Sequence, residues 1–131
     1  MEPLTWRDDN GCIEISYHPV FRDRAQELIA AVDQWLSVPC KTTCFAEPVE
    51  RATPDDGTPL LYTIHLAELM PMSSEQSTTR LWFRSDDGLI DRALVKVDPA
   101  LNAQRFPRAV MRGFGRALGF DVWIAANDRT R

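Results

Sequence analysis

The sequence predicts an α+β fold: a single domain in which two main helices pack on a twisted, mixed sheet of about five strands. The length of 131 residues suits one domain with one hydrophobic core. Short segments alternate apolar and polar residues, which is typical of strands with one buried face. Two longer segments carry apolar residues at the three-and-four spacing of an amphipathic helix. We therefore expect one domain over residues 1–131, with its core within about 11–124.

The individual elements follow from these two periodicities. The first helix is the clearest, because an apolar stripe continues over 21–36 and a Ser-Val-Pro sequence then ends it. The segment 80–84 is short, aromatic and flanked by charge, as edge strands often are. Polar loops are expected at 51–59 and 70–79. The predicted elements, in chain order, are a strand at 11–17, a helix at 21–36, strands at 42–49, 60–66, 80–84 and 91–97, and a helix at 105–120.

Composition and charge exclude some classes of function. The formal net charge of -4 argues against broad affinity for nucleic acids or anionic membranes, although a local basic face remains compatible with it. No apolar run approaches the length of a membrane span. The first seven residues lack the basic start and apolar stretch of a signal peptide. We expect a cytoplasmic protein, or a secreted or periplasmic one from which a leader has been removed.

The cysteines and histidines are too few and too scattered for a convincing metal site. The three cysteines are Cys12, Cys40 and Cys44, so at most one intramolecular disulfide can form. We favour small buried apolar roles for them. The alternative is a Cys40–Cys44 disulfide, which would indicate an oxidising compartment. The histidines, His18 and His65, lie on or beside separate predicted strands, and His65 is expected to face solvent or a helix. The sequence therefore predicts no metal and no cofactor.

The second predicted helix, 105–120, separates its residues by type. Phe106, Val110 and Phe114 fall on one face at helical spacing, so this face should be buried. A proline in the first turn and a glycine near the end suit the two helix termini. A different stripe of the helix carries the arginines Arg105, Arg108, Arg112 and Arg116.

The end of this helix resembles a known sequence pattern. The segment 110–120 is similar to the zinc-binding helix of the metzincin proteases of the matrixin-like group, whose pattern is V-x-x-H-E-x-G-H-x-L-G-x-x-H. The framework of that pattern is present at Phe114, Gly115 and the run 117–120, and a valine lies at Val110, one residue after the position that the pattern gives it. The order of predicted elements is also similar to the N-terminal subdomain of a metzincin. The resemblance implies one helix packed on a twisted sheet, and a fourth strand that forms an antiparallel edge and binds extended peptide.

The chemical groups of the pattern are absent. Arg112 and Arg116 stand at the first two metal-ligand positions, Gly113 at the position of the general base, and Val122 at the third ligand position. Zinc needs neutral imidazole, thiolate or carboxylate ligands, whereas arginine offers only donors and stays protonated. The resemblance therefore implies a metzincin-like domain without its zinc site and without its catalytic glutamate.

The function we expect is non-catalytic binding of a protein partner whose identity the sequence does not reveal. A peptide could add to the edge strand 80–84, with Trp82 and Phe83 as side-chain anchors. Arg108, Arg112 and Arg116 could contact an acidic group, because the guanidinium forms a planar fork toward carboxylates.

Three alternatives to this interpretation remain. In the first, the arginines are simply solvated or paired with surface acids, as surface charges commonly are. In the second, the arginine stripe binds an anion or a nucleic acid, which the acidic composition disfavours. In the third, the protein is an enzyme with an unrecognised site, which is disfavoured because no nucleophile–histidine set and no phosphate-binding glycine loop can be found.

Overall fold

The centre of the fold is a five-stranded sheet. The structure is a computed structural model and describes residue 6 and residues 12–36, 45–70, 76–83 and 88–120. The sheet has the order β2-β1-β3-β5-β4. Its first four members run parallel, and β4 is antiparallel to β5. Strand β4 is therefore an edge strand. The strands are β1 (Glu14–Tyr17), β2 (Val49–Glu50), β3 (Thr63–Glu68), β4 (Ser77–Phe83) and β5 (Ile90–Val97).

Two helices cover one face of this sheet. A 3-10 helix at Pro19–Arg24 leads into α1 (Ala25–Leu36), and α2 (Arg105–Gly115) continues as a π-helical turn at Arg116–Phe120. The side chain of Asn102 begins α2, because its Oδ1 accepts the backbone N–H groups of residues 104 and 105 at 3.0 and 2.8 Å. No helix in the described part of the chain is long and apolar enough to cross a bilayer.

The core lies between the helices and the sheet. Side chains alternate across a strand, so every second residue of β1, β3 and β5 faces the helices. Phe21 and Phe106 join the two helical segments over this layer, with ring centroids 5.9 Å apart. Burial of each such side chain contributes about 1.5–3 kcal/mol to stability. The fully buried members include Ile15, Phe21, Leu28, Val32, Ile64, Leu66, Val95, Val97, Phe106, Val110 and Phe114.

The α+β prediction of two helices on a mixed, five-stranded sheet is confirmed, and several boundaries move. The predicted strand at 60–66 is observed at Thr63–Glu68, because Tyr62 has a positive φ of 62° that interrupts extended backbone. The predicted strand at 80–84 is observed at Ser77–Phe83, since three residues assigned to a polar loop pair with β5. Within 42–49, the described part contains an isolated bridge between Phe45 and Ile13 and the start of β2.

The cysteine prediction needs correction. Cys12 is exposed and disulfide-bonded, so it is not the small buried apolar residue that the sequence led us to expect. The alternative, a Cys40–Cys44 disulfide, concerns two residues that lie outside the described part of the chain.

Candidate functional site

An open groove of about 790 Å³ lies between α2 and the first residues of β4. We call it the arginine groove. Its helical wall carries arginines at three positions spaced four residues apart, which places them on one face of α2 and the start of the following π-helical turn, with a repeat of about 6 Å. The residues that line the arginine groove are Gln76, Ser77, Arg108, Ala109, Met111, Arg112 and Arg116.

The arginines face outward because the opposite side of α2 is committed to the core. Arg108 and Arg112 are exposed, and Arg116 is half-buried. Arg112 and Arg116 each also take part in a contact within the chain. Arg108 makes no hydrogen bond or ion pair with the residues that the structure describes. The groove thus combines an exposed arginine that makes no polar contact with the described residues and two arginines that do make contacts within the chain.

Close packing at Gly113 sets the position of the helix against the sheet. The hydroxyl of Thr79 in β4 donates a hydrogen bond of 2.9 Å to the carbonyl of Gly113. A Cβ atom added at Gly113 would lie 2.5 Å from Cγ1 of Val95, closer than nonbonded carbon atoms can approach. Glycine at this position therefore allows α2 to lie directly on β4 and β5, which brings the arginines beside the edge strand.

The positions that resemble the metzincin pattern do not all face the groove. Arg112 and Arg116, at the first two of the pattern's three zinc-ligand positions, line it. Gly113, at the position of the general base, instead meets the sheet at Val95. Val122, at the third ligand position, lies outside the described residues. The structure thus brings two of the four positions together at the groove.

The aromatic anchors proposed from the sequence lie away from the arginines. Trp82 and Phe83 are five and six residues beyond Ser77 on β4, which corresponds to roughly 17–20 Å of extended strand. The guanidinium of Arg80 lies over the Trp82 ring, 4.8 Å from its centroid. Phe83 is 48% exposed. The arginines and the aromatic residues therefore border the same edge strand at opposite ends and do not form one pocket.

A buried polar network lies on the other face of the sheet, and sequence reasoning missed it. His65 is 1% exposed. Its Nδ1 is 2.7 Å from the Ser16 hydroxyl, and its Nε2 is 2.9 Å from the Thr53 hydroxyl. Burial lowers the pKa of His65 to about 4, with smaller contributions from the charges of His18 and Arg51. The ring is therefore neutral at physiological pH.

The expected placement of His65 was wrong. His65 alternates with the core residues Ile64 and Leu66, so it faces away from the helices, and the loop after β2 covers it through Thr53. Strand alternation alone could have excluded the helix face. Ser16 could have been found from the parallel pairing of β1 with β3, but no sequence spacing indicates Thr53, because it belongs to an irregular loop.

The network has the properties of a structural element. A neutral imidazole donates through one nitrogen and accepts through the other, so two hydroxyls satisfy both of its ring nitrogens. Ser16 is 1% exposed and is not accessible to a substrate. Within the described ranges, no group of three His, Cys, Asp or Glu residues could hold a metal ion.

Comparisons with known proteins give no assignment. No family model matches the chain, and no curated protein or solved structure matches it. A function is therefore proposed from the geometry and charge of the arginine groove.

Proposed function

We propose that this chain is a non-catalytic, metzincin-like module that binds an acidic segment of a protein partner in the arginine groove, beside the edge strand β4. One observation carries the proposal: two arginines of α2, Arg116 at the start of the π-helical turn, and the first residues of β4 line a single concave surface. Cationic side chains and a strand edge are the two features that an extended acidic peptide can use together.

Two features support the metzincin-like part of the proposal. Strand β4 is an antiparallel edge on an otherwise parallel sheet, as the resemblance implies for the fourth strand. Helix α2 follows β5 and packs against both β4 and β5, with its arginines at the former ligand positions beside the edge.

Two further features support binding without catalysis. The guanidinium groups of Arg112 and Arg116 cannot coordinate a metal ion, because they carry no available lone pair. The contact of Gly113 with Val95 leaves no space for a glutamate at the position of the general base. Restoring the histidines and the glutamate would therefore not rebuild the family's site without moving α2 away from the sheet.

The charge distribution favours a short acidic segment over a long polyanion. The chain as a whole carries a net charge of -4, so the attraction is local to the groove. At physiological ionic strength charges are screened beyond about 8 Å, and only ligand groups seated in the groove benefit from the arginines. A duplex nucleic acid would instead meet the acidic remainder of the surface.

The test is the binding of a fluorescently labelled octaglutamate peptide, followed by anisotropy. Arg108→Ala removes an exposed groove arginine, and we expect it to weaken binding about fivefold. Arg105→Ala is the matched control, because Arg105 is exposed on the same helix but does not line the groove. The control should bind as the wild type does.

Two results would contradict the proposal. One is the absence of binding to octaglutamate even at about 20 mM salt, where surface attraction is greatest. The other is an equal loss of affinity in the Arg108 and Arg105 variants, which would indicate a diffuse charge effect. A labelled oligothymidylate serves as the nucleic-acid arm: if it binds more tightly than octaglutamate and its affinity falls steeply with salt, the arginines contact phosphates instead.

A further inference from the structure

We infer that the arginine groove recognises carboxylates on alternate residues of an extended segment, so that its partner carries a Glu-x-Glu-x-Glu or Asp-x-Asp-x-Asp sequence. This inference rests on the proposed function and deepens it, because it states which acidic segments fit. The observation behind it is the four-residue spacing of Arg108, Arg112 and Arg116 along the wall of the groove.

The repeat of the arginines matches the repeat of a strand. Four residues of α-helix advance about 6.0 Å, so the three arginines span about 12 Å. Two residues of an extended chain advance about 6.8 Å, and side chains two apart point to the same side. Three alternate carboxylates therefore span about 13.6 Å, a mismatch that the long arginine side chains can absorb. Consecutive carboxylates point to opposite sides, and only some of them would meet the wall.

The rest of the lining supports recognition of separate charges. Ala109 and Met111 supply apolar surface between the arginines, so among the described lining residues positive charge lies at three separate points of the wall. On the facing side, Ser77 begins the edge strand, whose outer edge is not paired with another strand in the described part of the chain. An extended segment has backbone groups that can bond to such an edge, whereas a helix has satisfied its own.

The inference is tested with three labelled peptides of equal length and equal charge. Each carries three glutamates in a Ser/Thr background, placed at alternate positions, at consecutive positions, or four residues apart. The alternate peptide presents three carboxylates to the wall and the consecutive peptide presents two, its first and third, so we expect the alternate peptide to bind about threefold to fivefold more tightly. Equal affinity for these two peptides overturns the inference, and tighter binding of the third indicates a helical partner and also overturns it.

A paired substitution locates the middle contact. The alternate peptide without its central glutamate should bind wild-type protein about threefold to fivefold more weakly, and the loss should vanish in Arg112→Ala. A loss that persists in Arg112→Ala means that the central carboxylate is not read by that arginine. The melting temperature of the variant is measured alongside, since Arg112 also makes a contact within the chain.

These outcomes separate the spacing from the proposed function. If all three peptides bind equally, and Arg108→Ala weakens them while Arg105→Ala does not, the arginine groove binds acidic segments and the preference for alternate residues is wrong. If none of the peptides binds and octaglutamate also fails, the proposed function is wrong as well.

Discussion

The two polar regions of this protein, on opposite faces of its sheet, are built in opposite ways. In the network of Ser16, Thr53 and His65, the polar groups are buried or covered, paired with each other, and neutral. In the arginine groove Arg108 and Arg112 are exposed, Arg116 is half-buried, and Arg108 has no partner among the described residues. The network uses polar atoms to hold a loop on the sheet, whereas the groove brings like charges together beside the edge strand.

The contrast teaches how little residue type alone says about role. A histidine beside a serine often indicates a catalytic pair, whereas here burial and a lowered pKa indicate a structural role. Surface arginines are often simply solvated, whereas here three of them line one groove, which makes them a stronger functional candidate than the His65 network. Four predictions test this contrast, from the largest expected effect to the smallest.

Replacing His65 should cause the largest loss of stability. His65→Leu removes both hydrogen bonds and leaves two covered hydroxyls unsatisfied, so we expect the free energy of unfolding to fall by about 3 kcal/mol. His65→Gln keeps a donor and an acceptor and should lose about 1 kcal/mol. Urea denaturation measures both variants. If His65→Leu is as stable as the wild type, the network does not hold the loop.

The second prediction concerns acid. The pKa of His65 is about 4 in the folded protein against an ordinary value of 6.5, so the unfolded chain binds the proton first as pH falls. The free energy of unfolding is therefore not reduced by this residue above about pH 6.5. It falls by on the order of 2–3 kcal/mol as the pH is lowered toward 4. Urea denaturation of wild type and His65→Gln at several pH values gives the difference. The pKa of Glu50 is lowered by its hydrogen bond to Arg22 in both proteins, so its contribution to the pH dependence cancels in this difference. Parallel pH curves would contradict the prediction.

The third prediction concerns the packing behind the groove. Gly113→Ala adds a Cβ atom that collides with Val95, and we expect a loss of about 1–2 kcal/mol after the helix-propensity gain is included. Val95→Ala provides the matched background, because it removes the Cγ1 atom with which the added Cβ atom collides. In that background the alanine should be neutral or stabilising, a coupling of about 1–2 kcal/mol in a double-mutant cycle. Additive effects would mean that α2 can shift without cost.

The smallest effect is expected at the charges themselves. Arg108→Ala should change the free energy of unfolding by less than about 0.5 kcal/mol, because the side chain is exposed. Its melting temperature should match that of Arg105→Ala while its affinity for acidic peptide falls. A clear destabilisation of Arg108→Ala would mean that the groove arginines are structural, and the contrast between the two regions would disappear.

The sequence predicted the elements whose signals are local. The alternation at 91–97 identifies β5 to within one residue, and the apolar stripe over 21–36 identifies a helical segment whose start is 3-10 and whose α-helix begins at Ala25. The spacing of arginines along 105–120 predicts one charged face. The start of β3 was missed because the backbone conformation of Tyr62 leaves no trace in a pattern of apolar residues. The start of β4 was missed because its first residues are polar and become a strand only by pairing with β5.

The same distinction between local sequence signals and contacts made in the fold applies to the candidate sites. The arginine face could be predicted, but not its neighbour across the groove, since that depends on where β4 begins. Trp82 and Phe83 were expected to act with the arginines because both sets flank the same predicted surface, and the length of β4 separates them. Thr53 could not be assigned to His65, because the contact is made by an irregular loop.

The contact of Trp6 has a consequence for how the protein is made. Its indole N–H donates to the carbonyl of Ala117, 111 residues later, and its ring lies edge-on to Tyr62 at 6.2 Å. At a synthesis rate of about 5–20 residues per second, the ribosome completes the docking place of Trp6 roughly 6–20 seconds after adding this tryptophan. Trp6 therefore cannot form its native hydrogen bond until residue 117 has been synthesised and has left the ribosome, so the N-terminal segment docks late.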